Sequence, residues 1–94
     1  MDMKKDYDLL RERAELLKVL GHPVRLCIVR GLLNEGEKNV GDMQECLEIP
    51  QSTVSQHLAI LKSAGIIDNS RQKTENYYHI SSPLAKELIE VLFK

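Results

Sequence analysis

Aromatic side chains are scarce in this chain. Three tyrosines, one phenylalanine and no tryptophan amount to 4% of 94 residues. So few flat rings argue against a protein that grips single strands by stacking their bases. Cysteine is nearly as sparse. Two thiols cannot build a disulfide framework, and a reduced compartment is the simpler expectation. No apolar run is long enough to span a membrane, and no basic-then-apolar leader opens the chain. The expectation is a cytoplasmic protein with no membrane partner. Glycine-rich phosphate loops and paired carboxylates are missing too, which argues against an enzyme. Ser55 and His57 stand two residues apart, and helix side chains at that spacing do not face each other as nucleophile and base.

A strong excess of charge is also missing. The net charge is −1, whereas a domain that meets nucleic acid is usually basic. The distribution softens this. Residues 21–50 carry three cations (Arg25, Arg30, Lys38) against five anions (Glu35, Glu37, Asp42, Glu45, Glu48). Residues 51–80 carry three cations (Lys62, Arg71, Lys73) against two anions (Asp68, Glu75). The small positive excess falls in the second of these stretches.

What is present is an ordinary globular composition, 43% hydrophobic and 29% charged, in a length that makes a single domain over residues 1–94. The most informative run is Leu47 to Ile67, LEIPQSTVSQHLAILKSAGII. Pro50 breaks one helix, because proline disfavours a helical residue before it. The helix after it places Val54, Leu58 and Leu61 on one buried side. The other side shows Ser52, Thr53, Ser55, Gln56, Ala59 and Lys62. Hydroxyls and amides hydrogen-bond base edges and phosphates at short range, whereas a purely solvent-facing helix usually carries Glu and Lys. The pattern predicts a helix-turn-helix over about residues 40–64, with its second helix in the major groove.

Around it the periodicity predicts a first helix over 5–20, apolar at Leu9, Leu10, Leu16, Leu17 and Leu20. A second helix starts near Pro23, runs to about Leu33 and buries Leu26, Val29, Leu32 and Leu33; Asn34-Glu35-Gly36 reads as a turn. Asn39 suits the cap of a short third helix, Val40 to Leu47. Ile66-Ile67 and Asn76 to Ile80 read as strands around a polar turn at Asn69 to Glu75, which makes a wing over about 66–80. Ser82-Pro83 starts a last helix over 83–93. The fold class is therefore mainly α with a β-hairpin, a winged helix-turn-helix in the order α-α-α-α-β-β-α. The terminal helices carry more leucine than one small core needs, and predict a homodimer.

These segments resemble a known family. LKVLGHPVRLCIVRGLL, VGDMQECLEIPQSTVSQHLAILKSAGII and YYHI are similar to the ArsR/SmtB family of small winged-helix repressors, over about residues 10–92. STVSQHLAILKSAGII matches the family's recognition helix and its entry to the wing. The resemblance implies a homodimer built from the first and last helices. It implies occupation of a double-stranded DNA operator, palindromic by symmetry, and release by a metal, a thiol-reactive species or another inducer. The chain departs from the pattern at Asn39 and Gly41, where metal sensors carry a Cys-x-Cys pair. It departs again in the last helix, which has neither histidine nor cysteine, and at Arg30, where thiol sensors place a cysteine. No metal site and no cofactor are expected. Lys73 stands where the wing tip usually has glycine, and lysine resists positive φ.

The residues expected to bind DNA are Gln51, Ser52, Thr53, Ser55, Gln56, His57, Lys62, Arg71 and Lys73. Gln56 is the expected base reader, because a side-chain amide pairs with adenine through two bonds. His57 is expected to pack or face a phosphate. Cys27, off the buried stripe of its helix, is expected to be partly exposed and is the first candidate for thiol sensing. Cys46 is the second, although core packing is the expectation for it beside Met43 and Leu47. A second reading of the whole chain is a winged-helix module that docks on another protein and binds no DNA. The low net charge supports it. The carboxylate-free stretch from Gln51 to Gln56 opposes it, since protein interfaces favour aromatic, Met and Arg anchors.

Overall fold

Caps decide where the helices of this chain begin. The computed structural model describes residues 3–94. It contains α1 (Met3–Leu20), α2 (Pro23–Glu35), α3 (Val40–Leu47), α4 (Gln51–Ser63), β1 (Ile67–Gln72), β2 (Glu75–Ile80) and α5 (Pro83–Leu92). His22 caps α2, its Nδ1 accepting from the Val24 amide at 3.1 Å, with Pro23 in the first turn. Asn39 and Asp42 cap α3 reciprocally. The Asp42 amide donates to Asn39 Oδ1 at 2.8 Å, and the Asn39 amide donates to Asp42 Oδ2 at 3.3 Å. Ser82 Oγ accepts from the Ala85 amide at the start of α5. Of the four helices α2 to α5, α4 alone begins without a side-chain cap, at Pro50.

The helices and the hairpin share one core. Val54, Leu58 and Leu61 of α4 lie against Ile28, Val29 and Leu32 of α2, Ile66 and Ile67 at the start of the hairpin, and Ile89 of α5. Burying each such side chain contributes on the order of 1.5–3 kcal/mol. Among the described residues no polar or charged side chain is buried. α4 is thus held on its inner side over its whole length, and its outer side is presented on a rigid base.

β1 and β2 pair antiparallel, from Ile67 opposite Ile80 to Gln72 opposite Glu75. The strands are longer than expected. The polar run from Asn69 to Gln72 is strand rather than turn, and only Lys73 and Thr74 separate the two strands. Hydrophobic alternation did not mark this part because a projecting wing has solvent on both faces, so both kinds of position are polar. Lys38 adds a bridge to the far side of β2: the Tyr78 amide donates to the Lys38 carbonyl at 2.8 Å, and the Lys38 amide donates back at 3.3 Å.

Further expectations are corrected. α2 continues through Asn34 and Glu35 to a Gly36 cap at φ 84°. Leu26 and Leu33 are half-buried rather than buried. Cys46 is exposed, not in the core. α3 presents Val40, Met43 and Leu47 inward, and Cys46 falls one residue off that line. The apolar side expected for α1 splits in two. Val19 and Leu20 are buried and Leu16 is half-buried, while Leu9, Leu10 and Leu17 are exposed.

Candidate nucleic-acid interface

The interface is built on the turn between α3 and α4. Glu48 ends α3 in the left-handed region, at φ 56° and ψ 37°, and its amide donates to the Gln44 carbonyl at 2.9 Å. Such a conformation costs a non-glycine residue about 1 kcal/mol, and it reverses the chain within three residues. Pro50 then starts α4. The first turn of α4 carries no carboxylate, so the positive end of its helix dipole stays uncompensated and suits an anion.

Gln51, Ser52, Ser55, Gln56 and Lys62 are exposed along the outer side of α4, and Thr53 is half-buried at its edge. The structure therefore brings this part of the expected set together on one strip. Among the described residues, Lys62, Arg71 and Lys73 take part in no ion pair, so all three charges face solvent unneutralised.

His57 is set apart from that strip. Its ring is half-buried against α2, with its centroid 4.6 Å from that of His22. Arg25 Nη1 lies 3.4 Å from His57 Nδ1, and Arg25 Nε donates to the Val19 carbonyl at 2.6 Å. Burial, then His22, then Arg25 hold the His57 pKa below its ordinary value. The neutral ring accepts the Arg25 bond and ties α4 to the α1–α2 corner. Sequence reading missed Arg25 and His22 as positioning residues, because nothing in their spacing shows that they meet His57.

The wing is fastened to the helix-turn-helix by side chains as well as by the Lys38 bridge. Asn39 Nδ2 donates to Glu75 Oε2 at 3.1 Å, and the Tyr77 hydroxyl donates to the same oxygen at 3.2 Å. Gln72 Nε2 donates to Glu37 Oε2 at 3.4 Å. Arg71, in β1, pairs in register with Asn76 and is exposed. Lys73 takes the first turn position at φ 60°, so the turn keeps the positive φ that glycine would adopt freely. The two cysteines, exposed and unpaired, line one cleft between α2 and α3. Among the described residues no three His, Cys, Asp or Glu side chains stand together as a metal-holding group.

This arrangement matches known proteins. Residues 22–69 fit the model of the bacterial regulatory proteins of the arsR family. The transcriptional repressor PagR of Bacillus anthracis is 40% identical over 92 residues, spanning 98% of this chain and 92% of PagR. Its crystal structure superposes with a TM-score of 0.84, over 92% of this chain and 98% of that one, at 41% identity. A biofilm growth-associated repressor of Agrobacterium fabrum is 42% identical over 82 residues, 87% of this chain and 69% of that protein. The homodimeric winged helix-turn-helix domain of a possible ArsR-family regulator from Mycobacterium bovis, at 28% identity, gives a TM-score of 0.84 over 99% of this chain and 85% of that one. The chain belongs to the ArsR family. It is a DNA-binding transcriptional regulator and not an enzyme, and the reading as a docking module without DNA binding is not favoured.

Proposed function

We propose that the chain is a homodimeric repressor that occupies a palindromic duplex operator in the cytoplasm and leaves it in response to a signal. The observation that carries this reading is the outer strip of α4. Gln51, Ser52, Ser55 and Gln56 stand there in line, free of carboxylates, on a helix whose other side is anchored in the core. Gln56 reads a base edge in the major groove. Ser52, Thr53 and Ser55 donate to phosphates or to base edges. Arg71 and Lys73 on the wing, with Lys62, contact the backbone.

The dimer reading rests on exposed apolar surface at both ends of the chain. Tyr7, Leu10 and Leu17 on α1 and Val91, Leu92 and Phe93 at the end of α5 are exposed; Leu17 is 61% and Val91 70% accessible. Two-fold symmetry would place two α4 helices on successive major grooves, about 34–36 Å apart, and double the phosphate contacts of a weakly charged domain. The relative from Mycobacterium bovis is itself homodimeric.

Selection from a randomised duplex library tests the reading. The expected product is an inverted repeat bound with a steep salt dependence. Recovery of no enriched sequence, with binding equally weak on every duplex, would overturn it.

A further inference from the structure

We propose that Cys27 and Cys46 form a dithiol site across the cleft between α2 and α3, which a peroxide closes to an intramolecular disulfide. The cleft is small, about 70 Å³, and is lined by Cys27, Gly31, Glu35, Lys38, Met43 and Cys46. That is space for only about two waters. Both thiols are exposed, so a small oxidant reaches them from solvent. Gly31 stands in the α2 wall, where a Cβ would meet Lys38 Nζ at 3.7 Å and Glu35 Oε1 at 3.9 Å, both at ordinary contact distance. Lys38 reaches into the same cleft and donates to Glu35 Oε1 at 2.8 Å.

The chemistry balances with the two sulfurs and one peroxide. One cysteine sulfur, as thiolate, attacks a peroxide oxygen. The O–O bond breaks, a sulfenic acid forms, and the departing oxygen leaves as water with the thiol's proton. The second sulfur attacks the sulfenic sulfur. The S–S bond forms, and the sulfenic hydroxyl leaves as water with the second proton. Two thiols are oxidised to one disulfide, and hydrogen peroxide is reduced to two waters.

The position of the cleft gives this step a consequence, which rests on the regulator reading above. α3 passes directly into α4 through the Glu48–Pro50 turn, so a tether that draws α3 toward α2 moves the base-reading strip. Lys38 lines the cleft with its side chain and holds the wing with its backbone, through the bridge to Tyr78. Closing the cleft therefore acts on both DNA-contacting elements. The oxidised and reduced forms differ in the geometry they offer to DNA, which is what a switch requires.

The test treats the reduced full-length protein with hydrogen peroxide. It then measures intact mass, thiols open to alkylation, and affinity for the duplex chosen from the library. Expected are a loss of about 2 Da, two thiols closed to alkylation, a monomeric band on a non-reducing gel, and binding at least tenfold weaker, all reversed by dithiothreitol. Cys27→Ser and Cys46→Ser should each keep reduced-state binding and lose the mass change and the response. Oxidation that stops at sulfinic acid, or that joins two chains, overturns the proposal. So does a disulfide form that binds as tightly as the reduced one, or a single-cysteine variant that still releases. Reduced protein that binds no duplex sinks the regulator reading instead, and the mass and alkylation results then decide the dithiol site by themselves.

Discussion

The amide of Asn39 and the carboxylate of Glu75 meet at 3.1 Å, 36 residues apart in the chain. Asn39 caps α3 with its other side-chain atom, so one residue fixes the start of the helix-turn-helix and grips the turn end of the wing. The wing therefore takes its orientation from α3. Glu75→Ala removes this bond and the one from Tyr77. Each is worth on the order of 1 kcal/mol. The bridged Tyr78 amide should then exchange with deuterium about fivefold faster or more, while amides in α4 keep their rates. An unchanged Tyr78 rate would show that the Lys38 bridge alone holds the wing.

Gln56→Ala should relax base preference at one operator position in each half-site and cost about 1–3 kcal/mol on the preferred sequence. Competition between the preferred duplex and single-base variants measures it. Equal weakening on every sequence would show that Gln56 contacts backbone.

Lys73 offers a test with two opposite signs. Lys73→Gly relieves the positive φ at the turn, and should raise folding stability by about 0.5–1 kcal/mol in a denaturant melt. The same change removes a cation, as does Arg71→Gln, and each should lower the slope of log affinity against log salt by about one unit per neutralised contact. A slope that stays unchanged in both variants would take the wing off the DNA.

His57 should impose an acid limit on stability. The folded chain gives up this proton at a lower pH than the ordinary value of 6.5. As the pH falls, the unfolded chain therefore binds the proton first. Stability is full above about 6.5 and is lost as the pH drops through that value toward the folded pKa. His57→Gln should flatten this part of the curve. A proton titration of the His57 ring with its midpoint at or above 6.5 would contradict the burial argument.

Leu17 and Val91 are exposed in the single chain, so charging them leaves the core intact. Leu17→Glu together with Val91→Glu should halve the mass seen by light scattering at micromolar concentration, with little change in helix content. A wild-type protein that is already monomeric there would remove the dimer reading.

Helices were the most legible part of the sequence. Apolar spacing located α4 through Val54, Leu58 and Leu61, and cap chemistry located α3 through Asn39 and α5 through Ser82. The hairpin was half legible. Ile67 and the Asn76–Ile80 run showed as strand, but Ser70, Arg71 and Gln72 did not, because a strand wet on both faces has no alternation to read. Cys46 misled for a related reason. An eight-residue helix buries a single line of side chains, and a one-residue error in that line exchanges inside for outside.

By itself the sequence determined the order of the elements, the inner face of the reading helix and the carboxylate-free strip on its outer face. These follow from local rules of period, capping and proline placement, which act within a few residues. Only the tertiary structure decided which distant groups meet. It turned His57 inward onto Arg25 and His22, set Glu75 on Asn39, joined Lys38 to Tyr78 and placed Cys27 and Cys46 on the lining of one cleft. None of these pairs has a spacing that either partner announces. Each exists because one shared core fixes the helices and the wing at set angles, and packing of that kind is a property of the whole chain.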